Sequence, residues 1–401
     1  MNPVKQLWCR AFQAVLRLSI PLLPYRRPET LPNVEAVPGV LKRHGCASVL
    51  LVTGPNVTRR GLTRPLLGAL KEAGIGCAIY DKTPPNPTVS AVEEGAALYR
   101  AQGCQAILGF GGGSNLDCAK AVGVRVVLPG KPLSQCAGIL KVRRPLPLLI
   151  AVPTTAGSGS ETTIAAVVTD RSARHKYAIS DFPLIPRYAV LDPAVTVSLP
   201  PFLTATTGMD ALTHAVEAYI GRSTTKDTRE AALTAVRLIF ANLDRAFADG
   251  SDLEARRNLL EASFLAGCAF TKSYVGYVHA IAHALGGVYD VPHGLANAVI
   301  LPLVLERYGP AAHRKLAELA RAAGVAEETT PAPQAAAAFI QAIRAMNARF
   351  GIGATIPELR RADIPALARH ADKEANPLYP VPLLLDADEL ARLFERLLDE
   401  V

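Results

Sequence analysis

Short apolar runs alternate with amphipathic segments along the first part of the chain. Apolar runs of about four to eight residues are typical of buried strands, whereas apolar positions three and four apart are typical of helices. This pattern predicts strands over 47–54, 77–81 and 106–112, and helices over 62–74, 88–103 and 114–124. Strands that alternate with helices favour a parallel sheet with right-handed crossovers.

The pattern changes near the middle of the chain. Further strands are predicted over 148–155, 166–170, 176–180 and 189–193, but from residue 201 onward the sequence is rich in Ala, Leu, Glu and Arg at helical spacing. The proline-bearing stretch 191–201 separates the two patterns, and 401 residues suffice for two domains. We therefore expect an α/β domain over 1–197 and an all-helical domain over 198–401.

The first 27 residues carry apolar positions interrupted by Lys5, Arg10 and Arg17. No uncharged run reaches the ~20 residues that a spanning helix needs. The pattern predicts an amphipathic helix packed on the first domain, with an interfacial membrane helix as the alternative. We expect a cytoplasmic protein without stable membrane association.

Charge and cysteine content narrow the functional class. The net charge of +8 is compatible with a nucleic acid, a membrane surface or an anionic ligand as partner, but the arginines form only short clusters, which argues against nucleic-acid binding. The seven cysteines contain no CxxC pair. They are typical of buried thiols in a reducing compartment, and a cysteine metal site is not expected.

A glycine-rich turn, GFGGGSNLDCAK (109–120), joins a predicted strand directly to a helix. Glycines let the backbone approach a pyrophosphate, and the helix N-terminus offers free N–H groups. Ser114 and Asp117 also fit a helix capping box, so an ordinary strand-to-helix turn is the alternative. The loop PTTAGSGSE (153–161) consists largely of small and hydroxyl residues, which would allow a close approach to a ligand. By itself this composition does not indicate a function.

Four of the eight histidines fall within 214–293. Asp210 and His214 lie four apart on one predicted helix, and His279 and His283 lie four apart on another, so each pair shares a helix face. His293 lies in a predicted turn after the second of these helices. A buried cluster of this kind without a metal would need several separate hydrogen-bond solutions, so a metal is the simpler explanation. One carboxylate with imidazoles suits Zn²⁺ or Fe²⁺.

Four motifs together resemble those of the iron-containing alcohol dehydrogenase family, in the family's order over about residues 47–310. They are GGGSNLDCAK, PTTAGSGSE, TGMDALTHAVEAY and HAIAHALGGVYDVPHGLANAVILP. The resemblance implies a Rossmann-like α/β dinucleotide-binding domain followed by an all-α metal-binding domain. It also implies a hydride transfer between a nicotinamide cofactor and a primary alcohol, an aldehyde or a ketone.

The resemblance carries functional residues onto this chain. It places the metal on Asp210, His214, His279 and His293, and makes His283 a catalytic residue near the nicotinamide that relays a proton. It assigns the cofactor to Gly54, Asn86, Gly111, Gly112, Gly113, Ser114, Asp117, Thr154, Thr155, Ser158 and Lys176.

Cofactor choice depends on position 54. Many NAD-using members carry an aspartate there, whereas this chain has Gly54 and no carboxylate within 50–65. With Arg59, Arg60 and Arg64 nearby, we expect NADP(H) in preference to NAD(H). The sequence does not decide between iron and zinc as the metal. The family resemblance implies a homodimer. The alternative activities on this fold are those of dehydroquinate synthase and of maleylacetate reductase.

Overall fold

A computed structural model describes residues 1–171 and 175–399. Within these residues the chain forms two compact units, Pro24–Leu199 and a second that joins Met1–Leu23 to the chain from Pro200 onward. The predicted change from an alternating to a helical pattern near 191–201 therefore coincides with the boundary between the two units along the chain. The N-terminal segment belongs to the helical unit, which differs from the expectation that it packs on the α/β domain.

The unit Pro24–Leu199 is an α/β unit in which the predicted alternation is confirmed. Its strands are β1 (Glu29–Leu31), β2 (Ser48–Val52), β3 (Gly76–Tyr80), β4 (Ala106–Gly111), β5 (Gly138–Ile139), β6 (Leu148–Pro153), β7 (Ala165–Asp170), β8 (His175–Ser180) and β9 (Tyr188–Val190). Its helices are α2 (Val37–Arg43), α3 (Pro55–Arg59), α4 (Arg64–Glu72), α5 (Val89–Ala101), α6 (Gly113–Val127) and α7 (Leu133–Cys136).

The main sheet is parallel throughout the described residues, with strand order β1-β9-β6-β4-β2-β3. Successive residues of β2 enter different cores: Leu50 and Val52 pack with α5 and α6, and Val49 and Leu51 pack with α2 and α4. Both faces of the sheet are thus covered, which is why its central strands are continuous apolar runs. A smaller sheet of order β5-β8-β7 lies beside it in the same unit.

The helical unit contains α1 (Pro3–Ser19), α8 (Pro201–Ile220), α9 (Lys226–Ala248), α10 (Leu253–Ser273), α11 (Tyr277–Tyr289), α12 (His293–Tyr308), α13 (His313–Ala322), α14 (Ala332–Arg349), α15 (Ile364–Ala375) and α16 (Ala387–Glu395). Helix α8 is buried from Thr204 to Ile220 apart from Thr207, because α9, α10 and α12 pack around it. The predicted α/β-plus-helical fold is confirmed. No helix of the described residues is long and apolar enough to cross a membrane.

Candidate metal and cofactor sites

The predicted metal ligands meet in the helical unit. One ligand atom from each of Asp210, His214, His279 and His293 lies within 4.8 Å of the others. The carboxylate Oδ1 of Asp210 is 3.9 Å from Nδ1 of His214 and 3.6 Å from Nε2 of His293. The first three ligand residues are buried, and His293 is exposed, so the cluster opens on one side.

Close packing of two helices brings His293 to this cluster. The residue was predicted in a turn, but it is the first residue of α12. A Cβ atom on the next residue, Gly294, would lie 2.4 Å from the carbonyl oxygen of Thr206 on α8. Only glycine lets the start of α12 approach α8 so closely, and this approach sets His293 beside Asp210.

Glu217 holds His279 in the orientation that a metal ligand needs. The Nδ1 atom of His279 lies 2.6 Å from Oε2 of Glu217, and the carboxylate also accepts hydrogen bonds from the backbone N–H groups of Gly276 and Val278, each at 2.8 Å. An Nδ1–H donated to Glu217 leaves Nε2 with its lone pair toward the cluster. Sequence reasoning missed this residue, although its position three after His214 places it on the ligand face of α8.

The surroundings of His279 favour its neutral imidazole. Burial, together with the neighbouring histidines, lowers the pKa of His279 well below its usual value. Burial raises the pKa of Glu217 to about 7. Neutral imidazole is the form that binds a metal, and three imidazoles with one carboxylate form a donor set suited to Fe²⁺ or Zn²⁺. The residues present therefore fit a divalent metal.

Two further side chains that the sequence analysis missed pack against the ligands. The ring of Phe270 on α10 stacks on His214, with centroids 4.1 Å apart and an interplanar angle of 14°. The buried amide Nδ2 of Asn297 lies 2.7 Å from Oδ1 of Asp210, 3.3 Å from Nε2 of His279 and 3.1 Å from Nε2 of His293. Nothing in the local pattern distinguishes Phe270 from an ordinary core aromatic.

His283 stands at the open side of the cluster and has a carboxylate partner of its own. Its ring stacks on His293, with centroids 5.3 Å apart. Its Nδ1 atom lies 2.7 Å from Oε1 of Glu374, which also accepts a hydrogen bond from the Tyr379 hydroxyl at 2.7 Å. Burial of Glu374 opposes its ionisation, but these hydrogen bonds and the charge interactions with His283 and His370 together outweigh it and lower the pKa of the carboxyl group. The pair resembles a histidine–carboxylate proton relay.

The predicted phosphate loop lies at the carboxyl end of β4. Gly111 has φ of +140°, and a Cβ atom there would collide with the side chain of Asn115. Helix α6 starts directly after Gly112, and this N-cap glycine has no side chain that could occupy the first N–H groups of the helix. The capping box suggested by Ser114 and Asp117 is not formed, because Gly112 is the N-cap and Ser114 is already inside the helix, where its hydroxyl donates to the carbonyl of Pro85.

The other predicted cofactor residues surround this loop within the α/β unit. Thr154 donates its backbone N–H to Gly111, and Thr155 and Ser158 lie against Gly112 and Gly113. The Nζ atom of Lys176 donates to Oδ1 of Asn86 at 3.1 Å. Asn86 directly follows Pro85, whose carbonyl accepts from Ser114. The missing side chain of Gly54 would point at Asn115.

Asp117 faces into the α/β unit. It accepts hydrogen bonds from the Ser160 hydroxyl at 2.7 Å and from the backbone N–H of Val167 at 3.0 Å. These contacts tie α6 to β7 and to the segment before it. Its predicted contact with a cofactor stays a prediction.

Comparison with known sequences and structures decides the family. A profile described as "Iron-containing alcohol dehydrogenase" matches residues 32–193, and one described as "Fe-containing alcohol dehydrogenase family, C-terminal" matches residues 204–398. The 1,3-propanediol dehydrogenase of Klebsiella pneumoniae is 42% identical over 371 residues, which cover 91% of this chain and 95% of that protein. The chain belongs to the iron-containing alcohol dehydrogenase family.

Two further relatives support the same family. The NAD-dependent methanol dehydrogenase of Bacillus methanolicus is 36% identical over 84% of this chain and 89% of its own length. A crystal structure of a 1,3-propanediol oxidoreductase superposes with a TM-score of 0.88 at 38% identity, covering 93% of this chain and 98% of that one. As a member of the iron-containing alcohol dehydrogenase family, the chain is an oxidoreductase of alcohols and aldehydes.

Proposed function

We propose that this enzyme transfers a hydride between a small alcohol or aldehyde and a nicotinamide dinucleotide, with one divalent iron held by Asp210, His214, His279 and His293. The observation that carries the proposal is the convergence of these four ligand atoms within 4.8 Å. The family description supports iron over zinc. A bound metal supplies Lewis acidity, which stabilises negative charge on the substrate oxygen.

Other residues of the chain bind the cofactor and transfer the proton. The N-terminus of α6 and the loop around Thr154 bind the cofactor diphosphate, because both present polar groups at the carboxyl edge of a parallel sheet. His283, with Glu374 behind it, moves the alcohol proton at Nε2 between the substrate and water. Its side chain is 43% exposed, which gives this proton a route to solvent.

Two single variants test the proposal. His279→Ala should lose bound metal and activity together, whereas His283→Ala should retain the metal and lose turnover. His313→Ala, a change of the same type elsewhere in the helical unit, is the matched control. Metal content is measured by elemental analysis, and activity by oxidation of propane-1,3-diol with NAD or NADP.

Three outcomes would contradict the proposal. An enzyme that is fully active without metal would favour a metal-independent reductase. Unchanged metal content in His279→Ala would remove the ligand assignment. Loss of metal in His283→Ala would make His283 a ligand and exclude it as the proton relay.

A further inference from the structure

Helix α1 exposes most of its large apolar side chains. We define the α1 apolar face as Val4, Leu7, Trp8, Val15, Leu18 and Leu22, the last of these lying in the turn after the helix. Each of these residues is between 59% and 84% exposed. The side that packs on the protein contains Cys9 and Gln13 instead. A contiguous apolar strip on a free surface marks an interaction site more often than chance scatter does.

Hydrogen bonds from the buried side of α1 fix its orientation. The Arg10 guanidinium donates to the carbonyls of Val381 and Pro382 at 2.7 and 2.9 Å. The Gln13 amide donates to the carbonyl of Tyr379 at 2.8 Å. These bonds fix the helix by its polar side, so its apolar side is turned away from the helical unit.

The surface beside the apolar face is positively charged. Residues 1–23 contain Lys5, Arg10 and Arg17 and no Asp or Glu, and Lys5 is paired with Asp372. A groove of about 360 Å³ is lined by Arg10, Arg17 and Arg222, with Gln13, Ala14 and Leu18 completing it and no carboxylate among them. Leu18 belongs both to this arginine groove and to the α1 apolar face, so the two surfaces are continuous.

We infer that the α1 apolar face and the arginine groove dock together on the surface of an anionic phospholipid membrane. The apolar side chains would enter the boundary between headgroups and acyl chains, and the guanidinium groups of Arg17 and Arg222 would bind lipid phosphates. Trp8 suits this boundary, where tryptophan is enriched. The helix lies in the membrane plane in this arrangement and does not span it.

A second copy of the chain fits this surface less well. Positions 4, 8, 11, 15, 18 and 22 have coiled-coil spacing, but pairing two α1 helices would bring together two segments that contain no acid. Interhelical salt bridges, which normally set such pairing, would be missing. The family profiles begin at residue 32, so α1 also lies outside the matched dehydrogenase core.

The single tryptophan of the chain reports directly on this surface. Full-length protein is titrated with vesicles of phosphatidylcholine alone and of an equimolar phosphatidylcholine–phosphatidylglycerol mixture. We expect a blue shift of Trp8 emission and co-sedimentation with the anionic vesicles only, and weaker binding as salt is raised. Brominated acyl chains should quench Trp8.

Variants separate the two components of the surface. Arg17→Gln with Arg222→Gln should weaken binding roughly 25-fold, because each basic side chain near an anionic surface contributes about a fivefold factor. Leu7→Gln with Leu18→Gln should weaken it about tenfold or more. Leu253→Gln and Arg237→Gln change exposed residues elsewhere on the helical unit and should leave binding intact. None of these changes should alter dehydrogenase activity.

Several outcomes would overturn the inference. Trp8 emission that is already blue-shifted without vesicles, and that reddens on dilution as a dimer dissociates, would assign the face to a second copy. Equal binding to neutral and anionic vesicles, or binding that persists after both pairs of substitutions, would show that the arginines and leucines do not mediate it. No binding to anionic vesicles would end the proposal.

Discussion

At the scale of single residues, one buried carboxylate connects the backbone to the predicted metal site. Glu217 satisfies two N–H groups at the start of α11 and also accepts from His279. Gly276 permits this, since a Cβ atom there would lie 2.7 Å from Oε1 of Glu217. The same carboxylate thus begins a helix and orients a predicted ligand on it.

Replacing Glu217 by glutamine should weaken metal binding by about ten- to a hundredfold, the usual effect of losing a partner behind a metal ligand. The glutamine NH₂ group would face at least one buried N–H group whose hydrogen bond the carboxylate now accepts. Metal affinity is measured by competition with a chelator, and the His279 tautomer by ¹⁵N NMR. Glu318→Gln, which changes the carboxylate partner of Tyr219 in the same unit, is the control. Unchanged affinity and tautomer would limit Glu217 to a structural role.

A second buried carboxylate makes the stability of the α/β unit depend on pH. Burial raises the pKa of Glu161 from 4.5 to about 7. Below pH 4.5 the group is protonated in the folded and unfolded states alike. As pH rises from about 4.5 to 7, the folded state is destabilised increasingly, because only the unfolded state ionises in this range; above pH 7 the penalty is constant.

Glu161→Gln mimics the protonated form, so it should stabilise the protein progressively from about pH 4.5 and reach a plateau above pH 7. The gain in free energy of unfolding should not exceed about 3 kcal/mol. Denaturant unfolding across this pH range measures it, with the exposed Glu35→Gln as control. A gain that is independent of pH would contradict the assignment.

At the scale of elements, helix starts and strand ends carry the predicted functional groups. Helix α6 begins at the end of β4 without a side-chain cap, and α12 begins at His293 against α8. The loop after β2 is a third such place. Gly54 precedes the short helix α3, and Arg59 and Arg64 on the following segment are exposed.

This loop leads us to predict a preference for NADP(H) over NAD(H), because no carboxylate is present to repel a 2′-phosphate. Arg60 is partly engaged, since it donates to the carbonyl of Ser198. Gly54→Asp should shift kcat/KM toward NADH. A Cβ atom at this position would lie 3.0 Å from Asn115 and 3.1 Å from the Thr83 carbonyl, so a steric effect must be separated from charge.

Gly54→Asn supplies this control, because it has the shape of aspartate without the charge. Only the difference between the two variants reports on the 2′-phosphate. A wild-type kcat/KM for NADH that equals or exceeds the value for NADPH would refute the preference. If the two variants behave alike, residue 54 does not face the adenosine ribose.

At the scale of the whole molecule, the predicted metal residues all belong to one unit. Asp210 and His214 come from α8, and the other ligands come from α11 and α12. A metal that binds only the folded form stabilises the elements that hold it.

Removal of the metal by a chelator should therefore loosen these three helices selectively. Hydrogen exchange should increase in α8, α11 and α12 and stay unchanged in β4 and β6. The His279→Ala variant should show no response to the chelator. An equal loss of protection in the parallel sheet would show that the metal does not act through these helices.

Sequence by itself determined the elements and the chemistry of the site. Apolar runs and helical spacing depend on neighbouring residues, and the i, i+4 pairs Asp210–His214 and His279–His283 follow from helix geometry alone. The predicted strands and helices were confirmed for this reason, usually within two or three residues at their ends. Helix α8 begins earlier, at Pro201, and the short helix α3 was not predicted.

Only the tertiary structure decided which partners support these residues and which way α1 faces. Glu217 and His279 are 62 positions apart, and His283 and Glu374 are 91 apart, so no local pattern records either contact. The periodicity of α1 shows that it has an apolar side but not which side packs. Its orientation depends on hydrogen bonds from Arg10 and Gln13 to backbone carbonyls more than 360 residues away, which exist only once the chain has folded.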